Sequence, residues 1–177
     1  MEISAFVEEN DETKKYDCLY YLQPGLWNKY RPITSKLHSK DNWSGYIKYL
    51  NDKNEVSDEV KKIPNKYGGI YLFFIQGINL PFERYLAYVG RAECTKSENL
   101  RTRIKSYLPE SKSAKGRRRI VRLFKYWKKY LYVRYYKSQD NEFIKQSESA
   151  LLHAILPPFN TELTEYKIKE PIKAFIL

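Results

Sequence analysis

The sequence predicts an α/β fold: a small antiparallel three-stranded sheet flanked by helices, with an N-terminal extension ahead of it. Three observations carry this expectation. The runs "GIYLFFIQG" and "RYLAYVG", joined through "NLPF", read as a hairpin of two β-rich strands. "KGRRRIVRLFKYWKKYL" is amphipathic at helical spacing. "LYVRYYK" then alternates as a third strand, and "NEFIKQSESALLHAI" follows as a last helix.

Residues 1–66 mix aromatics with turn residues, show no sustained period, and form the extension or accessory region. Within them Asp41 and Asn42 offer a helix start for "WSGYIKYLND", with Trp43, Tyr46, Ile47 and Leu50 at helical spacing. Pro64 and the Gly68-Gly69 pair punctuate the entry to the main domain, residues 67–160. After the hairpin, Thr95 and Glu98 form a capping box. The helix it opens puts Leu100, Ile104, Tyr107 and Leu108 on one face and ends at Pro109. In the basic segment Ile120, Leu123, Phe124 and Trp127 make the apolar stripe. The last helix turns Phe143, Ile144, Leu151 and Ile155 inward and stops at Pro157-Pro158. Residues 161–177 are left as a tail expected to pack on the domain.

With 42% hydrophobic and 30% charged residues, the 177-residue chain can bury one core and is not of the disordered class. No apolar run approaches the roughly 18 residues of a membrane span. The acidic start "MEISAFVEEN" lacks the basic and apolar regions of a secretory signal, so a cytoplasmic location with no membrane partner is expected. Cys18 and Cys94 lack metal-ligand spacing and read as free thiols. Two histidines, His38 and His153, leave little material for a zinc site or a histidine-based triad.

The charge is uneven. Of a formal +11, residues 101–137 carry +13, with 14 Lys/Arg against the single acid Glu110, leaving −2 on the other 140 residues. Solvated faces usually mix signs; this one-sided excess points to a polyanion, and to nucleic acid first. Lys115, Arg118, Arg122, Lys125 and Lys129 recur every three or four residues on one helical stripe. The Arg117-Arg118-Arg119 run adds candidate phosphate contacts.

Five parts of the sequence, in order, resemble the GIY-YIG nuclease superfamily. Gly69-Ile70-Tyr71 stands as the GIY half on the first strand and Tyr88-Val89-Gly90 as the YIG half on the second, with valine for isoleucine. "LRTRIKSY" supplies Leu100, Arg103 and Tyr107 on the next helix, and "SESALLHAILPPFN" supplies Glu148 and, past the prolines, Asn160. The match spans about residues 68–160. Two departures are long turns: 17 positions separate Tyr71 from Tyr88, and "RAECTKSEN" precedes the arginine helix. The choice between Arg101 and Arg103 falls on Arg103, which shares an edge of the helix with Leu100 and Tyr107. Arg101 would point about 160° away, toward solvent or a phosphate.

The resemblance implies a metal-dependent DNA endonuclease that leaves 5′-phosphate and 3′-hydroxyl ends. The size fits small restriction or phage/defence members, and a palindromic site would require a homodimer. Tyr71 is then the general base, Tyr88 orients water or phosphate, Tyr107 stands in for a helix histidine, and Asn160 orders the site. These residue types suit the chemistry. Glu148 is a hard oxygen ligand for Mg²⁺, with Mn²⁺ as a substitute. Arg103 offers a planar guanidinium to a phosphate. A tyrosine base requires its pKa to fall under nearby positive charge. Two other readings stay open: an inactive nucleic-acid-binding module on the same fold, and an RNA-directed nuclease.

Overall fold

A computed structural model describes residues 16–160. The fold is α/β, with a four-stranded antiparallel sheet and helices on both faces. Helix α1 (Pro24–Thr34) and two 3-10 turns lead to the short strand β1 (Ile47–Lys48) and a one-turn helix α2 (Asp58–Lys61). The hairpin β2 (Gly68–Ile75) and β3 (Tyr85–Ala92) comes next. Helices α3 (Leu100–Lys105), α4 (Tyr107–Lys112) and α5 (Arg118–Trp127) follow, then β4 (Leu131–Ser138) and α6 (Asn141–Ile155). The strand order is β1-β4-β2-β3, so β3 is an edge. Among the described residues no helix is long and apolar enough to cross a membrane. The tail expected over 161–177 lies outside the described residues.

The fourth strand corrects the expectation of three. The helix anticipated over residues 43–52 does not form; Ile47 pairs with Val133 and Lys48 with Tyr132 on β4. Ser44 donates its backbone N–H to the Tyr135 carbonyl, while its hydroxyl accepts from the Tyr135 N–H at 3.0 Å. Ser44 and Gly45 are weak helix formers, so sheet pairing overrides the local aromatic spacing.

Two helix boundaries also move. The Glu98 N–H does donate to the Thr95 hydroxyl at 2.9 Å, but the helix starts later, at a reciprocal box of Asn99 and Thr102. Glu98 instead accepts from the Glu93 N–H. Pro109 sits in the first turn of α4, where its missing N–H costs no intrahelical bond. The break falls at Ser106, whose hydroxyl donates to the Arg103 carbonyl at 2.8 Å.

Alternation divides the core. Tyr71, Phe73 and Ile75 face α3–α5 and pack with Ile104, Tyr107, Ile120, Leu123 and Phe124. Ile70 and Val89 face the other way, onto Ile144 and Leu152 of α6. Past α6, Leu156 adopts a left-handed conformation (φ 51°) and the two prolines carry the chain to the edge of β3. There Asn160 brackets Val89: its side-chain oxygen accepts from the Val89 N–H at 2.9 Å, and its amide nitrogen donates to the Val89 carbonyl at 2.7 Å. A side chain thereby satisfies exposed edge-strand groups.

Candidate active site

The two glycine-tyrosine tripeptides are neighbours across the hairpin. Tyr71 pairs directly with Gly90, and the Tyr71 ring lies over that glycine. A Cβ at Gly90 would come within 2.5 Å of the ring, so the position must lack a side chain. The ring's hydroxyl is thereby directed to Tyr107 of α4, 2.6 Å away. Tyr107 in turn donates to the Tyr88 hydroxyl at 3.1 Å. A phenol has one proton. Since that of Tyr107 goes to Tyr88, the proton between Tyr71 and Tyr107 comes from Tyr71. The chain runs Tyr71 to Tyr107 to Tyr88, and Tyr88 retains a proton for a further acceptor.

Burial pushes the pKa of Tyr71 well above the usual 10.0, the neighbouring phenols add to this, and Arg103 opposes it. Tyr88 is raised for the same first cause, with Tyr107 next and Arg117 opposing. The expected fall of a tyrosine pKa is thus reversed at both positions: desolvation outweighs the guanidiniums, and Tyr71 and Tyr88 are neutral in this state. Tyr107 also departs from expectation. It is fully buried between the two other hydroxyls and is unable to present its own to a phosphate.

Tyr71 and Tyr88 open on a cavity of about 320 Å³ that Arg103, Glu148 and Asn160 also line. The cavity wraps the edge of β3. The tyrosines and Arg103 reach it from one face of the sheet, and Arg91 and Glu148 from the other. Arg103 also lies over the Tyr107 ring, 5.5 Å from its centroid. Glu148 projects from α6 with 17% of its side chain exposed and accepts from Arg91 at 2.7 Å. Arg91 had no place in the sequence reading. Its signal was modest: a base directly after Tyr88-Val89-Gly90, on the strand face that α6 covers.

The donors suit one kind of cation. Among the described residues no group of three or more His, Cys, Asp and Glu side chains could hold a metal ion. Zinc sites draw three or four ligands from the protein. Mg²⁺ takes one or two carboxylates and completes its shell with water and phosphate, which Glu148 in a polar cavity fits.

No protein-family model, curated protein or solved structure matches the chain.

The basic residues divide into two sets. Arg101 turns back and donates to the Ile63 carbonyl instead of facing solvent. Arg117 makes a two-point ion pair with Glu110, at 2.7 and 3.0 Å, and donates to the Tyr88 hydroxyl at 3.2 Å. Arg119 donates to the carbonyls of Pro158 and Asn160 at 3.0 and 2.8 Å, holding the segment that carries Asn160. Arg122 reaches the Asp17 carbonyl at 3.0 Å. Lys115, Arg118, Lys125 and Lys129 remain exposed. The single helical stripe is not continuous: Lys115 lies in the turn before α5 and Lys129 in a 3-10 turn after it.

Proposed function

We propose that the chain is a Mg²⁺-dependent endonuclease that hydrolyses DNA, on a fold of the GIY-YIG nuclease type. One observation carries the reading: Tyr71, Tyr88, Arg103, Glu148 and Asn160, spread over 89 positions of sequence, line one cavity. The +13 charge of residues 101–137 supports a polyanionic substrate. Hydrolysis of a phosphodiester needs a water deprotonated, charge on the phosphoryl oxygens neutralised, and the leaving 3′ oxygen stabilised.

Arg103 supplies the guanidinium for the phosphate; among the described residues no carboxylate forms an ion pair with it. Tyr88 is favoured over Tyr71 as the phenol that meets the attacking water, because Arg117 donates to its oxygen and opposes the rise in its pKa; it takes the water's proton as the phenolate, after its own proton has left through the cavity. Tyr71 then holds Tyr107 in place. Asn160 fixes the edge of β3, and with it the Tyr88-Val89-Gly90 segment. Glu148 would hold the cation, and when bound there Mg²⁺ supplies Lewis-acid stabilisation to the phosphate and the leaving oxygen.

The test is nicking of supercoiled plasmid in Mg²⁺ and in EDTA, with Glu148→Ala alongside. Wild type should nick in Mg²⁺ alone, and Glu148→Ala should lose nicking while binding DNA with unreduced affinity. Wild-type protein that binds but never nicks would leave a binding module in place of the enzyme.

A further inference from the structure

Arg117 belongs by sequence to a run of three arginines expected at a phosphate surface. Its guanidinium is committed elsewhere. Nε and Nη2 engage the two Glu110 oxygens at 2.7 and 3.0 Å, which leaves Nη1 aimed at the Tyr88 hydroxyl, 3.2 Å away. A bidentate carboxylate holds a guanidinium in one plane and one direction, as a single contact does not. The loop is built to bring the two together. The Ser113 N–H donates to the Glu110 carbonyl and the Gly116 N–H to the Ser113 carbonyl, each at 3.0 Å. Gly116 passes so near the Glu110 carbonyl that a Cβ there would collide with it. Glu110 is also the single acid among residues 101–137, and its carboxyl is held below the usual range chiefly by its hydrogen bonds from Arg117.

We propose that Arg117 and Glu110 form a positioning pair that holds the Tyr88 hydroxyl at the end of the Tyr71–Tyr107–Tyr88 chain, so that Tyr88 is the phenol exchanging a proton with the cavity. The argument is a proton inventory. Each phenol hydroxyl carries one proton and offers two acceptor sites. A guanidinium only donates. Placed at the Tyr88 end, Arg117 occupies one acceptor site on that oxygen and Tyr107 occupies another, so the Tyr88 proton must point away from both. Without Arg117 the Tyr88 oxygen keeps the single donor Tyr107, and nothing then fixes where its own proton turns. The charged and titratable groups around this hydroxyl are Tyr107 and Glu110 of α4 and Arg117, with Tyr71, Arg91, Glu93, Glu98, Arg103, Arg119 and Glu148 lining the same cavity. Of these, only Arg117 and Tyr107 bond to it directly.

The catalytic consequence rests on the nuclease reading, but the positioning does not. The first measurement is therefore made without nucleic acid or turnover: the Tyr88 ¹³Cζ resonance in ¹³C-tyrosine-labelled protein at neutral pH, assigned with Tyr88→Phe. Arg117→Gln should shift that resonance, and Glu110→Gln should shift it the same way by less. Arg118→Gln, one residue along, should leave it unmoved. An unmoved resonance in folded Arg117→Gln overturns the proposal, whatever the protein does to DNA. The second measurement is kinetic. Arg117→Gln should lower kcat by about 10- to 100-fold with KM nearly constant. A raised KM with kcat unchanged would instead make Arg117 an ordinary phosphate contact and overturn the positioning role. If wild type proves inactive, the nuclease reading fails while the resonance still decides the pair.

Discussion

The cavity arginines and the outer basic surface come largely from one stretch of chain, residues 101–129, and the fold uses them in opposite ways. Arg117 and Arg119 are held by named partners: Glu110 and Tyr88 for one, the Pro158 and Asn160 carbonyls for the other. Arg103 stands among the phenols of the same cavity. Arg118 and Lys125 on α5, with Lys115 and Lys129 at its ends, project into solvent. An anchored guanidinium has little freedom left to lose when a substrate arrives and can act at one point in space. An exposed cation acts through its field, additively and under salt screening. The same residue type therefore predicts different losses on substitution.

The largest contrast lies on α3, between two arginines two residues apart. Arg103→Ala should reduce the turnover rate by at least about 100-fold, because it removes the guanidinium that meets developing charge. Arg101→Ala should leave turnover of folded protein unchanged and cost about 1–2 kcal/mol of stability, through the orphaned Ile63 carbonyl. Single-turnover rates and urea unfolding of both variants read this directly. Reversed outcomes would mean that α3 is rotated by two residues relative to the cavity.

A second contrast appears in alkali. Burial raises the pKa of Tyr71 and Tyr88 above the 10.0 of an unfolded tyrosine, and that of Tyr49 likewise. Below pH 10 these phenols are neutral in both states and add no pH dependence. Above it the unfolded chain ionises first, so stability falls as pH rises beyond about 10. A thermal melt series from pH 8 to 11 should be flat and then drop. Gln substitutions at Arg118 and Lys125 should leave that curve nearly unchanged, since neither residue contacts the phenols.

Much of the site was legible because its residues sit on regular elements with strong periodic signals. Tyr71 and Gly90 face each other because two strands joined by one loop can pair in few registers. Arg91 was not legible as a site residue, and Arg117 was legible only as a phosphate contact, because their meaning depends on partners brought in by folding. The carboxylate that receives Arg91 lies 57 positions away, and Arg117 reaches Tyr88 across 29. Glu110 was visible as a lone acid in a basic run, yet nothing local says that its loop folds back onto the next helix. β1 was hidden for a different reason. A two-residue strand beside Ser44 and Gly45 has too short a period to compete with the helical spacing of Trp43, Tyr46, Ile47 and Leu50.

The smallest expected effect tests the outer surface itself. Arg118 and Lys125 are exposed on α5, and among the described residues neither forms an ion pair with a carboxylate. If both meet DNA phosphates, each releases counterions on binding, and replacing both by Gln lowers the slope of log K against log salt by about 1.8. Because phosphates carry no sequence information, the loss should be the same for every duplex. The rate at saturating DNA should stay within about twofold of wild type, in contrast to any change among the anchored arginines. Arg122 is a poorer choice for this pair, since its bond to the Asp17 carbonyl ties it to the segment that crosses α5. Binding titrations of the Arg118→Gln/Lys125→Gln variant at several salt concentrations give the slope directly. An unchanged slope would place α5 away from the duplex and would leave the cavity side as the DNA-facing part of the basic segment.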